Sequence, residues 1–506
     1  MGNAVVVNAA DLRDYALEPM LDGVSSFESV LKYAWKLPDV SSVICIGSTR
    51  GFPSALAEKY KVRQVKHDTW TVSGLLNAMK EETGNVELIF YVFGDTPLLD
   101  ADLSEKMYED HKRYFAQYSF ADGYPYGLTP EILSSSLLPA LLHLEGEEER
   151  KLDRESIFTV IQKDINAFEI ETALSPKDMR LLRISLSADT KRNTMQLHSI
   201  IERGGTNASS VMSVVDESPE ILRSLPAYIN IQVSGGCPQS CSYCPYPVIS
   251  ENCLENREYM ELGRFRKLID DVSAFCDDAV IGVGLFGDPS LHPDFEGIAD
   301  AVLEKASLSM VVETSGIGWD RDIIQRLAAR AAERGLIDRV TWIVSLDSLD
   351  QEVYRRLRGD GYYEALKTVR FLMEHFPDRV WVQAVRMKEN EDVLETFYRE
   401  WKKETEHVII QKYDTFCGFL PERKVADLSP VVRFPCWHIK RDLAVLLDGT
   451  VPLCREDLRC RYTLGNIFNE DIETIWARGD KVYREHIGKT YNELCEKCDE
   501  YYTYNF

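Results

Sequence analysis

Between residues 228 and 412, apolar, β-branched segments alternate with longer amphipathic segments. The apolar segments are residues 228–233, 279–286, 308–313, 340–346, 380–386 and 407–412. Stretches of helical length, such as residues 320–334 and 361–375, separate them. Continuous apolar strands joined by helices form parallel sheets that are covered on both faces. Six such units predict an open (β/α)6 partial barrel, with functional residues at the carboxyl ends of its strands.

Three cysteines follow the first of these strands on one short loop. Cys237, Cys241 and Cys244 have the spacing C-x3-C-x2-C, and the aromatic Tyr243 precedes the last of them. Three thiolates can hold three corners of a [4Fe–4S] cluster and leave the fourth iron without a protein ligand. An open iron can bind a substrate or a cofactor. The alternative is a zinc site that uses Cys253 as its fourth ligand.

Polar motifs follow the next strands. Gly287, Asp288 and Pro289 come after the second strand, where a glycine allows close approach of the backbone and a carboxylate suits an ammonium group. The sequence Glu-Thr-Ser-Gly occupies residues 313–316 after the third strand, and Ser-Leu-Asp-Ser occupies residues 345–348 after the fourth. A single motif of this kind is a weak signal, but their order on successive strands after the cysteines is a strong one.

Together these motifs resemble the radical S-adenosylmethionine (radical SAM) family. The resemblance implies that Gly287, Asp288 and Pro289 correspond to its Gly-Gly-Glu-Pro element, which binds the methionine amino group of SAM. Asp288 is one methylene shorter than the usual glutamate, so a small shift in geometry is expected. The resemblance also implies reductive cleavage of SAM and hydrogen abstraction from an unactivated C–H bond, with the cofactor supplying the chemistry and the protein its orientation.

Further SAM-binding residues are carried over from the same resemblance. Ser345 and Asp347 alternate across one face of a strand end and are predicted to hydrogen-bond ribose hydroxyls. Glu313 belongs to the family's Glu-Thr-Asn-Gly element, and Tyr243 is part of the cysteine motif. Arg358 either pairs with the SAM carboxylate or is a solvated helix residue.

A second cysteine group lies near the C-terminus. Cys436, Gly449 and Cys454 fit C-x12-G-x4-C, and a Cys495-x2-Cys498 pair follows. A hairpin between residues 443–447 and 451–453 is predicted at Asp448-Gly449.

This group resembles the SPASM module of radical SAM enzymes in its shortened, twitch-like form. The resemblance implies one auxiliary [4Fe–4S] cluster on Cys436, Cys454, Cys495 and Cys498. A zinc site with the same ligands is the alternative, and Cys460 is a candidate to replace one ligand.

The N-terminal third also has an α/β pattern, with short strands at residues 4–8, 43–47, 62–66 and 87–93. Residues 19–23, followed by a helix, resemble the sugar nucleotidyltransferase (GT-A-like) fold, in which Asp95 corresponds to a metal-binding aspartate. The expected glycine-rich phosphate loop is absent, and Val24 replaces the expected lysine. A degenerate binding or assembly domain is therefore favoured over a working transferase. The charged residues 145–154 are interpreted as a solvated segment.

Charge and length narrow the function classes. The chain has 506 residues and a net charge of −24, which argues against nucleic-acid binding and against binding to anionic membranes. The sequence contains no apolar run of the roughly 20 residues that span a bilayer, and no signal peptide is expected. Most of its twelve cysteines fall into two groups with metal-ligand spacing, which favours a reducing, cytoplasmic location.

The sequence thus predicts three α/β-type domains: a nucleotidyltransferase-like domain at residues 1–215, a radical SAM core at 226–425 and a SPASM/twitch domain at 426–506. This arrangement resembles the spiro-SPASM proteins. The predicted function is a radical SAM enzyme that acts on a peptide or small molecule and takes electrons from a low-potential donor. The alternatives are a nucleotidyltransferase with a redox-sensing half and a non-catalytic iron–sulfur scaffold.

Overall fold

The fold is that of a computed structural model, which describes residues 2–250, 253–426, 429–430, 433 and 435–502. The chain divides into two compact units, Met1–Leu222 and Arg223–Phe506. In the described residues, no helix has both the length and the apolar character needed to cross a membrane.

The first unit is an α/β domain. Its strands are Asn3–Ala9 (β1), Pro19–Leu21 (β2), Val24–Ser25 (β3), Val40–Ser48 (β4), Arg63–His67 (β5), Leu88–Phe93 (β6), Tyr118–Asp122 (β7), Glu131–Ser134 (β8) and Ile170–Leu174 (β9). Its helices are Ser26–Ala34 (α1), Ser54–Lys59 (α2), Val72–Glu82 (α3), Ala101–Arg113 (α4), Leu138–Glu145 (α5), Ser156–Gln162 (α6), Lys191–Glu202 (α7) and Ala208–Glu217 (α8).

The main sheet of this unit has the order β5-β4-β1-β6-β8-β7-β9. Strands β4, β1 and β6 run parallel, whereas β8 pairs antiparallel with both β6 and β7. Every residue of β1 is buried, because helices cover both faces of the sheet and two hydrophobic cores form on them. The predicted α/β character of this region is confirmed.

The second unit contains the predicted barrel. Its strands are Tyr228–Ile231 (β10), Val280–Gly282 (β11), Ser309–Thr314 (β12), Val340–Ser345 (β13), Val380–Arg386 (β14), Val408–Lys412 (β15), Asp442–Val445 (β16), Thr450–Pro452 (β17) and Thr463–Asn466 (β18). Its helices are Tyr246–Ile249 (α9), Leu262–Phe275 (α10), Phe295–Leu303 (α11), Arg321–Glu333 (α12), Gln351–Arg358 (α13), Tyr362–His375 (α14), Glu391–Trp401 (α15), Trp437–Arg441 (α16), Ile472–Ile487 (α17) and Glu493–Glu496 (α18).

The six predicted strands form one parallel sheet in sequence order, from β10 to β15. A seventh strand, β16, adds to the free edge of β10 and is also parallel. The predicted turn at Asp448-Gly449 forms, because the Leu446 amide donates to the Thr450 carbonyl at 2.9 Å and Gly449 has a φ of +84°. The predicted pairing of the two flanking segments is wrong: β16 pairs with β10, and β17 pairs antiparallel with β18. The edge of β10 offers backbone partners, and pairing there buries Leu443 and Val445 in the barrel core.

Candidate active site

The cysteine loop starts beyond the carboxyl end of β10, as predicted. Cys237, Cys241 and Cys244 interact electrostatically with one another, so the fold brings the three thiols together. The Cys237 amide donates to the Cys253 carbonyl at 2.9 Å, and this places Cys253 beside the loop. Burial raises the pKa of all three thiols, that of Cys244 to about 12. A bound metal would stabilise the charged form of such half-buried thiols.

A buried polar network supports this loop. Arg358 is only 4% exposed, and its guanidinium donates to Asp347 Oδ2 at 2.8 Å and to Gln239 Oε1 at 3.0 Å. It also donates to the Tyr243 hydroxyl, which itself donates to Asp347 Oδ2 at 2.5 Å. The positive charge of Arg358 lowers the pKa of Cys241, against the larger effect of burial. The interpretation of Arg358 as a solvated helix residue is therefore wrong.

Helix α13 sets the position of Arg358. The helix starts at the N-cap Asp350, whose carboxylate accepts from two backbone amides, and ends at Gly359 with a φ of +97°. Asp347 is fully buried, and its second oxygen accepts from the Val385 amide at 2.7 Å. Its predicted contact with ribose and that of Arg358 with the SAM carboxylate remain predictions, because these two side chains pair with each other.

Asp288 ties the second strand end to the third. Its carboxylate is 2% exposed and accepts from the Thr314 hydroxyl and from both the amide and the hydroxyl of Ser315, at 2.6–3.1 Å. Gly287, with a φ of +89°, approaches the cysteine loop so closely that a Cβ atom would lie 2.2 Å from the Ser234 carbonyl oxygen. The close approach here is between two backbone segments. Contact of Gly287, Asp288 and Pro289 with SAM remains a prediction.

Glu313 and Ser345 lie within the last two residues of strands β12 and β13. Glu313 lines a cavity of about 590 Å³ together with Asn230, Gln383 and Cys454. Its side chain forms no hydrogen bond or ion pair with any residue that the structure describes, and burial raises its pKa, opposed by Arg455. Ser345 Oγ accepts from Gln383 Nε2 at 3.3 Å. Glu313 is therefore a carboxylate available to a molecule in the cavity.

The C-terminal cysteines also converge. Cys436, Cys495 and Cys498 all act electrostatically on Cys454, and burial raises the pKa of Cys495 to about 11. The groups that act on Cys460 within the described chain are Asp457 and Asp448, neither of them a cysteine. The structure thus gives no support to Cys460 as a replacement ligand.

Sequence reasoning missed a fifth thiol at this place. Cys498, Cys454 and Glu456 all act electrostatically on Cys417, and together with burial they raise its pKa. From the sequence, Cys417 is not a predicted ligand, because it belongs to neither of the two cysteine spacing patterns. Only the fold brings it to the auxiliary site.

In the first unit, one arginine occupies the candidate metal site. Arg154 donates to Asp95 Oδ2 at 2.5 Å, to Asp189 Oδ2 at 3.0 Å and to the Tyr126 hydroxyl at 3.0 Å. Its guanidinium also stacks over the Phe93 ring, 4.9 Å from the centroid. The interpretation of residues 145–154 as a solvated segment is thus wrong for Arg154. Its cation takes the place that a metal ion would take between the two carboxylates.

Comparisons with known proteins agree with the cysteine motifs. The Radical SAM superfamily model matches residues 231–400, and the SPASM model, described as an iron-sulfur cluster-binding domain, matches residues 436–499. An uncharacterized protein of Treponema pallidum (strain Nichols) is 38% identical over 359 residues, which cover 69% of this chain and 98% of that protein. The chain belongs to the radical SAM superfamily.

Two solved structures are similar at lower identity. SuiB of Streptococcus suis, bound to the precursor peptide SuiA, is 14% identical and covers 71% of this chain and 87% of its own, with a TM-score of 0.43. A cytidylyltransferase of Leptospira borgpetersenii serovar Hardjo-bovis (strain JB197) is 17% identical and covers 44% of this chain and 95% of its own, with a TM-score of 0.36.

This radical SAM protein is therefore an enzyme of the SPASM type, with [4Fe–4S] clusters and SAM as its cofactors. Its donor set fits them, because three half-buried thiols share one loop and four more converge at the second site. Family membership favours iron–sulfur clusters over zinc at both places.

Proposed function

We propose that this enzyme cleaves SAM reductively and abstracts a hydrogen atom from a peptide or small-molecule substrate. The observation that carries the proposal is the set of Cys237, Cys241 and Cys244, three half-buried thiols on one loop. Such a set can hold a cluster with one iron left open for SAM. When bound, the cluster and SAM supply one electron and a carbon radical strong enough for the abstraction.

The residues around the loop would hold the cofactors in place. Arg358, Asp347 and Tyr243 form a buried network that fixes the loop, and Asp288 joins the loops after β11 and β12. We propose that the SAM site is built from Tyr243, Gly287, Asp288, Pro289, Glu313, Ser345, Asp347 and Arg358. Arg358, Asp347 and Tyr243, which the structure pairs with one another, would act by positioning the loops.

The barrel cavity is the proposed substrate site. It holds the carboxylate of Glu313, which no described residue hydrogen-bonds or ion-pairs, and its wall includes Cys454 of the second cysteine group. We propose that Cys436, Cys454, Cys495 and Cys498 bind the auxiliary cluster, which would exchange electrons with a low-potential donor. The apolar core that surrounds the barrel would keep water away from the reacting carbon.

The N-terminal unit has a different proposed role. Its carboxylate pair is closed by Arg154, which supports a binding or assembly function and disfavours metal-dependent nucleotidyl transfer. We retain the domain limits 1–215, 226–425 and 426–506 and a cytoplasmic location as parts of this proposal. No partner among nucleic acids or membranes is expected.

The test is the formation of 5′-deoxyadenosine. The protein, reconstituted without oxygen, is given SAM and dithionite and compared with the Cys237→Ala/Cys241→Ala/Cys244→Ala variant. We expect at least a hundredfold more product from the wild type, because the variant cannot hold the cluster that SAM needs. Equal amounts from both proteins, or none from an iron-loaded wild type supplied with candidate peptides, would support the scaffold alternative.

A further inference from the structure

Charged side chains of both signs line the barrel cavity, and most of them form ion pairs. The lining residues with an ion-pair partner are Lys412, Arg441, Asp442, Arg455 and Glu500. Glu313 and Arg379 also line the cavity, but neither forms an ion pair with any residue that the structure describes. The cavity therefore contains one negative and one positive group whose charges are not neutralised by a contact.

Arg379 immediately precedes strand β14 and is held by uncharged acceptors. Its Nη2 donates to the Thr341 hydroxyl at 2.7 Å, and its Nε donates to the Val340 carbonyl at 3.4 Å. A guanidinium has five N–H donors, and these two contacts leave its positive charge in place. Arg379 is thus available to an anionic group in the cavity.

Glu313 is surrounded by other hydrogen-bond acceptors. It acts electrostatically on the Tyr228 hydroxyl, and Asn230 Oδ1 is buried without a hydrogen-bond partner in the described part of the chain. Gly282 makes room for these groups, because a Cβ atom there would collide with the Tyr228 hydroxyl. A primary ammonium group carries three N–H donors and no acceptor, so it suits a carboxylate in these surroundings.

The two charges lie apart in the barrel. Glu313 shares a register row with Ile343 and Trp381 on the next two strands, and Arg379 lies two residues before Trp381. Two strand spacings of about 4.8 Å and a rise of about 6.6 Å place the two backbones roughly 12 Å apart. Both side chains reach into the cavity, and a dipeptide spans about 7 Å. One small molecule can therefore contact both charges.

We propose that this cavity binds a zwitterion, an amino acid or short peptide whose ammonium group contacts Glu313 and whose carboxylate contacts Arg379. A molecule with only one charge would leave the other protein charge unpaired, so the site selects for both. Apolar lining residues such as Met310, Ile343 and Trp381 would contact the side chains of the ligand. The inference rests on the proposed function and deepens it, since it names the substrate class.

The test measures binding to the reconstituted enzyme with SAM and without a reductant, so that no SAM is cleaved. The probes are the dipeptide leucyl-phenylalanine, its N-acetyl derivative, which lacks the ammonium group, and its C-terminal amide, which lacks the carboxylate. Calorimetric titration of the wild type should give at least tenfold tighter binding of the free dipeptide than of either derivative. Equal binding of all three, or a Kd of the free dipeptide above about 1 mM, would overturn the proposal.

Variants assign each charge to its residue. Glu313→Gln should bind the free dipeptide and the amide at least tenfold more weakly and the N-acetyl form unchanged, whereas Arg379→Gln should spare only the amide. Arg339→Gln is the matched control, because Arg339 immediately precedes β13 and donates to the Leu308 carbonyl at 2.7 Å but does not line the cavity. It should bind all three probes like the wild type. Loss of SAM binding in Glu313→Gln would assign this carboxylate to the cofactor and overturn the proposal.

Failure of this proposal is distinguishable from failure of SAM cleavage. Dipeptide binding with the expected charge pattern but without 5′-deoxyadenosine formation would support the zwitterion site and contradict the radical chemistry. Formation of 5′-deoxyadenosine by an enzyme that does not discriminate among the three probes would contradict the zwitterion site alone.

Discussion

Each unit of this enzyme buries acidic side chains beside an arginine, but the two arginines serve different partners. In Met1–Leu222, Arg154 bridges Asp95 and Asp189 and neutralises the carboxylates that it touches. In Arg223–Phe506, Arg358 stands beside Cys241, yet its ion pair is with Asp347. The first site is thus closed by its own cation, whereas at the second site one arginine is shared between Asp347 and the thiols of Cys241 and Cys244.

This difference concerns how each site compensates its buried negative charge. A buried anion is stable only when a cation compensates it. The side chain of the protein supplies that cation between the two aspartates. At the cysteine loop, the single cation of Arg358 is shared between Asp347 and the thiols, so three thiolates need the further positive charge that iron supplies.

Removing Arg154 from between its two aspartates is expected to have the largest effect on stability. Arg154→Met leaves Asp95, which is 5% exposed, without its cation, and should destabilise the native state by about 3–5 kcal/mol. Mn²⁺ should then restore part of the lost stability, because the freed carboxylates offer it oxygen ligands. Scanning calorimetry of the full chain with and without ~1 mM Mn²⁺ measures both effects.

Two controls accompany this measurement. Arg154→Met/Asp95→Asn should not respond to Mn²⁺, since only one carboxylate of the pair remains. Arg180→Met removes an exposed arginine that pairs with Asp178 and should leave stability nearly unchanged. An Arg154→Met protein that melts like the wild type and ignores Mn²⁺ would remove the basis of the comparison.

Removing the carboxylate that pairs with Arg358 should leave the positive charge of Arg358 to act on the cysteine thiols. Asp347→Asn removes the carboxylate that offsets Arg358, so the pKa of Cys241 should fall. Because the thiolate is the reactive form, the cluster-free protein should be alkylated at Cys241 about three- to tenfold faster near neutral pH. Mass spectrometry of the labelled peptide gives the rate.

The exposed Asp360 provides the matched control for this charge change. Asp360→Asn removes the same charge from a residue that pairs with Arg355 at the surface, and the Cys241 rate should stay constant. Equal or slower labelling of Asp347→Asn would mean that Arg358 does not act on Cys241.

The smallest expected effect concerns the hydroxyl that joins this network. Tyr243→Phe removes a donor to Asp347 and an acceptor for Arg358, and should cost about 1–2 kcal/mol in calorimetric stability. Tyr363→Phe, which loses an exposed hydroxyl bonded to Gln351, serves as the control. A Tyr243→Phe protein as stable as this control would show that Arg358 and Asp347 hold the loop without the tyrosine.

The barrel was predictable because its signal is local. Strands β10 to β15 are apolar runs of typical length, separated by amphipathic helices, and all of them form. Strand β16 was assigned to the wrong partner, because a short apolar run beside a turn fits either pairing. Strand β9 was missed, since its residues are half-buried or exposed and show no apolar alternation.

The sequence alone determined the parallel barrel, the two cysteine groups and membership in the radical SAM superfamily, because spacing and periodicity express them directly. Only the tertiary structure decided that Arg154 closes an aspartate pair, that Arg358 pairs with Asp347, and that Cys417 lies near Cys498. These contacts depend on strand order and on individual turns. Such features bring residues together over distances in the chain that no local pattern encodes.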